Sequence, residues 1–455
     1  MSDRVFARLV VAAGFVLIWT RVLGGFGGDF SPSHFDEWRS LALAQRFVES
    51  GALVAEDPVG SANGLARDIS DRNRSLGFVA IYAAWLRFAP EPIETLKFLA
   101  GGFLFLYVAG MAWLLRTIGV RPLALLPAML AIGVMPTDPR ILGPALAVPS
   151  SLSLGLCALG WVAHMRLTDA TEMPAGVEAK GRPTIWWLLF GSASLLLAVI
   201  YPLTLIVMAG LIAVDVFARP ALLKTTYVRL GLITGCIGAV LFIVHEWQGT
   251  IEATLAHFAD LFLLDPQWHL RRFEAYRLNF LLHPVVMLIA MFGAGIAFAG
   301  VGQNVGDDSE KPSGRTGAWI AAAFVVPLIA YFGYQNFGVG LIVPYQRVGL
   351  YLNLGAVLCT GVAAEHALRM LDRRGAALSV GVPATLIACL GIWFVPRANP
   401  PYEGLEREIR PHPALAEAAK RIARVHYPMT TTFFAPPLEA LFVEGYSGLR
   451  ADPSA

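Results

Sequence analysis

Asp36 and Glu37 are adjacent carboxylates in the run Ser33-His34-Phe35-Asp36-Glu37-Trp38-Arg39-Ser40, just after an apolar stretch ending near Phe26. Acids at a water-lipid boundary can do proton-transfer chemistry on a membrane surface or hold a cation through oxygen. Farther along, Asp138 lies in Met135-Pro-Thr-Asp-Pro-Arg140, His269 precedes Arg271 and Arg272, and Arg347 closes Val343-Pro-Tyr-Gln-Arg347. If the apolar segments alternate across a bilayer, all of these reach the same face as Asp36, and several spans converge polar groups on one cavity. Each also has a plain structural alternative. Asp36 and Glu37 could simply complement a helix dipole, Asp138-Pro139 is an ordinary turn, and Arg347 could snorkel as an interfacial anchor.

The elements that must position these groups are set by composition. With 56% hydrophobic and 15% charged residues over 455 positions, the chain carries far more apolar side chain than one soluble core uses. It reads as an all-α polytopic membrane protein. A net charge of +2 with no basic stripe excludes nucleic acid as a partner. Cys157, Cys236, Cys359 and Cys389 lie in apolar runs at wide spacing, which predicts packing residues and neither a metal site nor a disulfide framework.

About eleven spans are predicted, near residues 6–26, 96–118, 122–136, 145–166, 184–200, 203–218, 228–246, 279–300, 318–335, 347–370 and 376–396. The short loops on one side hold the Lys and Arg excess, including Arg4, Arg8, Arg116, Arg121, Arg166, Lys180, Arg182, Arg219, Lys224, Arg369, Arg373 and Arg374. That side is expected to be cytoplasmic. The outer side then receives the loop 27–95, the turn at Asp138, the loop 247–278 and the tail 397–455. The N-terminus is expected inside and the C-terminus outside. Residues 1–396 form the transmembrane domain, and the tail is a small appendage.

Within the first outer loop, residues 35–49 place Leu41, Leu43, Ala44, Phe47 and Val48 on one helical face and Arg39, Arg46 and Glu49 on the other. This pattern predicts a helix lying in the interface, with Ser33 as its N-cap and Ser50-Gly51 as its stop.

An aspartate after the first span, followed by an interfacial helix with Trp, alternating Leu and Ala and a terminal Gly, resembles the GT-C superfamily of integral-membrane glycosyltransferases. Asp36-Glu-Trp-Arg-Ser-Leu-Ala-Leu-Ala-Gln-Arg-Phe-Val-Glu-Ser-Gly51 looks like the corresponding segment of oligosaccharyltransferase catalytic subunits and lipid-linked sugar transferases. The resemblance implies a GT-C-like bundle, a polyprenyl-phosphate sugar donor and a glycan or lipid hydroxyl as acceptor. It also implies residence among membrane lipids, in a bacterial inner membrane with the active face periplasmic or extracytoplasmic. By the same resemblance Asp36 matches the catalytic acid, Glu37 its acidic neighbour and Asp138 the second-loop acid. Arg347 matches the basic residue on the donor phosphate, with Arg271 and Arg272 as further phosphate-binding candidates. His34, His269 and Tyr345 are candidates for lining the pocket. A divalent cation, Mg or Mn, held by Asp36 and Asp138 is left open as a cofactor.

Trp186-Trp187 is followed by Leu188 and begins a span, so it departs from the Trp-Trp-Asp motif of oligosaccharyltransferase subunits. Together with the short tail, this disfavours transfer to protein asparagine. Two other readings stand beside the glycosyltransferase: a lipid or lipid-linked-sugar flippase, and a noncatalytic assembly subunit with the same fold.

Overall fold

The computed structural model describes residues 3–23, 35–50, 76–88, 91–135, 143–172, 183–224, 281–300, 314–337, 345–375 and 377–395, with isolated positions elsewhere. The side chains of Asp36, Tyr345 and Arg347 lie outside that description. Twelve α-helices are present among the described residues: α1 (Asp3–Arg21), α2 (Phe35–Ser50), α3 (Leu76–Phe88), α4 (Pro92–Thr117), α5 (Pro122–Gly133), α6 (Pro149–Glu172), α7 (Pro183–Ile200), α8 (Pro202–Ala218), α9 (Pro284–Gly300), α10 (Gly314–Phe337), α11 (Tyr345–Arg373) and α12 (Val382–Phe394). A parallel pairing of Thr432–Phe433 with Arg450–Ala451 is the β structure described in the tail.

The all-α class expected from composition is observed. Helices α1 and α4 to α12 coincide with ten of the expected spans, while residues 228–246 lie outside the described residues. Two stretches, Glu94–Thr117 and Val348–Arg373, are long and apolar enough to cross a bilayer by length and composition, and the rest of the apolar helices are shorter. Helix α5 has 12 residues and so rises only about 18 Å, well short of a bilayer core of about 30 Å. Most of its residues, from Ala124 to Gly133, are buried. It is a half-length helix enclosed by α1, α4, α11 and α12, which suits a short segment whose free backbone groups need protein partners.

Proline decides many of the starts. Six helices open on Pro92, Pro122, Pro149, Pro183, Pro202 and Pro284, at the position where a missing N–H costs nothing and φ is already helical. Glycine follows the ends of two of the described helices. Gly119 after α4 and Gly375 after α11 have φ of 86° and 66°, and Val120 N–H bonds back to the Leu115 carbonyl at 2.9 Å. A left-handed residue is needed there to turn the chain and satisfy the last carbonyls.

Helix α11 is the central pillar. It packs on α9, α10, α5 and α4, and the stretch from Val348 to Thr360 is buried throughout. Small residues allow this. A Cβ on Gly293 of α9 would run into the Cys359 backbone, and one on Gly355 would run into the Ala323 backbone of α10. Around the pillar, α4 pairs with α6, α6 with α7, and α8 bridges α6 and α10.

Long-range bonds join the helix ends. At the end where α4 turns into α5, named the inner end after the expected orientation, the Arg121 Nε and backbone N–H both donate to Glu365, at 3.0 and 2.8 Å. Arg121 also pairs with Asp372, and Arg369 Nε reaches Glu365 at 2.7 Å. Desolvation alone would lower the Arg121 pKa, but hydrogen bonds and charge from Asp372 and Glu365 more than offset it, so the group is held above its ordinary value. Deeper at the same end, His164 Nε2 lies 2.8 Å from Asp215 Oδ2, and Arg219 closes a second pair on Asp215, with Nε at 3.0 Å from Oδ1. Trp186 packs edge-on to Trp113 and under the Arg166 guanidinium. The Trp186-Trp187 pair is therefore part of the packing at the start of α7. Cys157 and Cys359 are buried and Cys389 half-buried, all three as free thiols, whereas Cys236 lies outside the described residues.

Candidate active site

The expected interfacial helix is present as α2, but it is docked more deeply than an amphipathic surface helix. Trp38, Leu41 and Ala44 are fully buried, and Leu43, Phe47 and Val48 pack against the core. Its platform is α3, an apolar helix that in turn rests on α7. Trp85 and Phe88 of α3 stay exposed, as aromatic side chains do at a membrane interface.

Glu37 is the acid of the pair whose side chain is described. It is only 1% exposed, and its Oε1 accepts the Ala147 backbone N–H at 2.9 Å. A buried carboxylate needs such a donor. Tyr82 of α3 is also completely buried, and burial first, then the Glu37 charge, pushes its phenol well above the usual range. The phenol therefore stays neutral. Asp36 stands one residue earlier on α2, about 100° round the axis from Glu37.

The segment entering α6 is the other half of the contact. Gly143 to Val148 is buried, Ser151 Oγ donates to the Gly143 carbonyl at 2.7 Å, and Ala147 is the residue held by Glu37. On the far side of Asp138, Arg21 at the end of α1 donates through Nη2 to the Met135 carbonyl at 2.8 Å. Asp138 itself lies outside the described residues. The described chain before it is held by Arg21 of α1, and the described chain after it by Glu37 of α2.

Helix α11 enters the same end. Its first turn carries Tyr345 and Arg347, and four residues beyond Arg347 is Tyr351, one turn away on the same helical face. Tyr351 OH lies 2.8 Å from Thr204 Oγ1 of α8, and Thr204 Oγ1 lies 2.8 Å from Ser153 Oγ of α6. Ser153 Oγ donates to the Ser150 carbonyl at 2.7 Å. Each hydroxyl has one proton, so this last bond sets the direction of the rest: Thr204 donates to Ser153, and Tyr351 donates to Thr204. Alongside, Asn353 Nδ2 donates to the Leu281 and Gly349 carbonyls at 2.6 and 2.7 Å.

His34, Asp138, His269, Arg271 and Arg272 lie outside the described residues. Among the described residues no three His, Cys, Asp or Glu side chains gather into a metal site, and the expected cation pair of Asp36 and Asp138 lies outside the described side chains. Sequence reasoning missed Arg21, Ala147, Ser153, Thr204 and Tyr351. The three hydroxyl side chains could have been noticed as polar groups within the first turns of apolar spans, since such groups require partners inside a membrane.

No family model matches the chain, and no curated protein sequence does. Among solved structures, the chain is similar to Archaeoglobus fulgidus oligosaccharyltransferase in its apo form. The TM-score is 0.52 at 10% identity, and the match covers 100% of this chain and 65% of that one. The chain thus spans somewhat under two thirds of that enzyme's length. A structure of the same enzyme in complex with Zn and sulfate aligns at a TM-score of 0.46 and 12% identity, covering 98% and 62%. The fold assignment rests on the first. The architecture is a GT-C-like helical bundle.

Proposed function

We propose that this chain is a GT-C-type glycosyltransferase that moves a hexosyl or pentosyl unit from a polyprenyl-phosphate donor to a hydroxyl of a glycan or lipid acceptor. The reaction takes place at the outer face of the membrane, in bacteria the periplasmic side of the inner membrane, and serves cell-envelope polysaccharide synthesis. The fold shared with an oligosaccharyltransferase supports the reaction class. The observation that carries the site is the Glu37–Ala147 bond, because it fixes the start of α2 against the approach to α6.

In this reading the Asp36 carboxylate accepts the proton of the acceptor hydroxyl while that oxygen attacks the anomeric carbon. The bond from anomeric carbon to phosphate oxygen breaks on the opposite face, its electron pair leaves with the polyprenyl phosphate, and configuration inverts through an oxocarbenium-like transition state. Arg347, with Arg271 and Arg272, stabilises the departing phosphate by charge-assisted hydrogen bonds. Glu37 orients the helix that carries Asp36, and no step is routed through a metal ion.

The test is turnover of a polyprenyl-phosphate sugar in proteoliposomes. Asp36→Asn keeps the shape but removes the basic lone pair, so turnover should fall about 10²- to 10⁴-fold while yield and donor binding persist. Glu37→Gln keeps an acceptor for Ala147 and should lose less. Full activity in Asp36→Asn with a dead Glu37→Gln would reverse the two roles, and two active variants would overturn the mechanism.

A further inference from the structure

Tyr351, Thr204 and Ser153 form a fully directed hydrogen-bond chain that ends on a backbone carbonyl in the first turn of α6. All three residues are buried, with Thr204 and Ser153 at 0% exposure. The chain joins α11, α8 and α6 within two turns of the ends at which Tyr345, Pro202 and Pro149 stand. Helix packing alone does not call for it, because apolar side chains of the same size would fill the space without needing partners. What the chain does supply is a fixed height and rotation for the first turn of α11, the turn that carries Arg347. Phosphate recognition by a guanidinium depends on planar, two-pronged geometry, so a small rotation of its helix is costly.

We infer that Tyr351 is a positioning residue for phosphate binding. It acts through Arg347 and is locked by Thr204 and Ser153. This rests on the donor role proposed for Arg347 and adds a reason why that role needs a hydroxyl network one turn deeper.

The experiment is a double-mutant cycle on the full chain in nanodiscs, read as the Kd for farnesyl phosphate together with the thermal midpoint. Tyr351→Phe and Thr204→Val should each weaken binding about three- to tenfold, the scale of one neutral hydrogen bond. Thr204→Ser, which keeps the hydroxyl, should restore wild-type binding. In the Arg347→Ala background the Tyr351→Phe and Thr204→Val effects should vanish, because there is no longer a guanidinium to aim. If the weakening persists undiminished in that background, the network is structural and the inference falls. It also falls if Arg347→Ala weakens binding while Tyr351→Phe and Thr204→Val do not. If Arg347→Ala itself leaves Kd unchanged, the donor reading fails, and the positioning role fails with it. Should Tyr351→Phe not fold, the Thr204→Val and Thr204→Ser pair gives the same decision.

Discussion

Around Glu365 and Asp215, at the inner end, the helices are joined mainly by ion pairs: Arg121, Arg369 and Asp372 around the first acid, Arg219 with the His164 imidazole around the second. Around Thr204, Asn353, Ala147 and Met135, at the outer end, the described ties run through hydroxyls, an amide, a carboxylate on a backbone N–H and a guanidinium on a backbone carbonyl. Charged pairs held away from water are intolerant of losing one member, whereas neutral bonds are worth about 1 kcal/mol each and allow small rearrangements. Among the described residues the two ends are thus joined by different kinds of bond. Of the acids in the proposed site, Glu37 is the one whose side chain is described, and it lies at the second end.

The sharpest way to break this comparison is Asp215→Asn. It leaves the buried Arg219 guanidinium without its counter-charge, and loss of one partner of a buried pair costs about 3–5 kcal/mol. A thermal-unfolding midpoint in detergent should drop by many degrees, and an unchanged midpoint would show that the inner end is not locked by charge. Glu365→Gln comes next. It weakens two arginine contacts at once, but Arg121 and Arg369 are more than a third exposed, so solvent screening reduces the loss to about 1–2 kcal/mol. Its effect should shrink as salt is raised from 0.05 to about 0.5 M, a range over which surface charges become screened. A salt-independent loss would mean that the contact is a packing one.

The smallest effect is expected at the outer end, from Tyr82→Phe. The Tyr82 hydroxyl is buried with no hydrogen-bond partner among the described residues, so its removal should leave the midpoint unchanged or raise it by up to about 1 kcal/mol equivalent. A clear destabilisation in the same thermal assay would reveal a bond from Tyr82 to Glu37 and make the outer end more tightly tied than the comparison holds.

Span positions were readable locally. Hydropathy windows located ten of the described helices, and prolines such as Pro92, Pro149 and Pro202 marked their starts. The amphipathic pattern of residues 35–49 gave α2 and its buried face, with Leu41 and Ala44 where expected. The same pattern did not reveal that Glu37 and Trp38 are buried too, because a helical wheel reports which residues share a face and not what covers it. Nor did it single out His164, Asp215 and Arg219, an imidazole on α6 and two charged groups near the end of α8 whose pairing shows only once the helices lie side by side.

The sequence by itself determined that this is an all-α chain of apolar helices, roughly where those helices lie, and that two carboxylates follow the first of them. These properties depend on side-chain hydropathy and backbone stereochemistry within a few turns of chain. Tertiary structure alone decided that Glu37 answers Ala147, 110 positions away, that Arg21 holds Met135, and that Tyr351 speaks to Ser153 through Thr204. Hydrogen bonds reach only about 3 Å, so partners this distant in sequence are chosen by how the helices pack, and packing depends on the whole set of small and large side chains rather than on any local run.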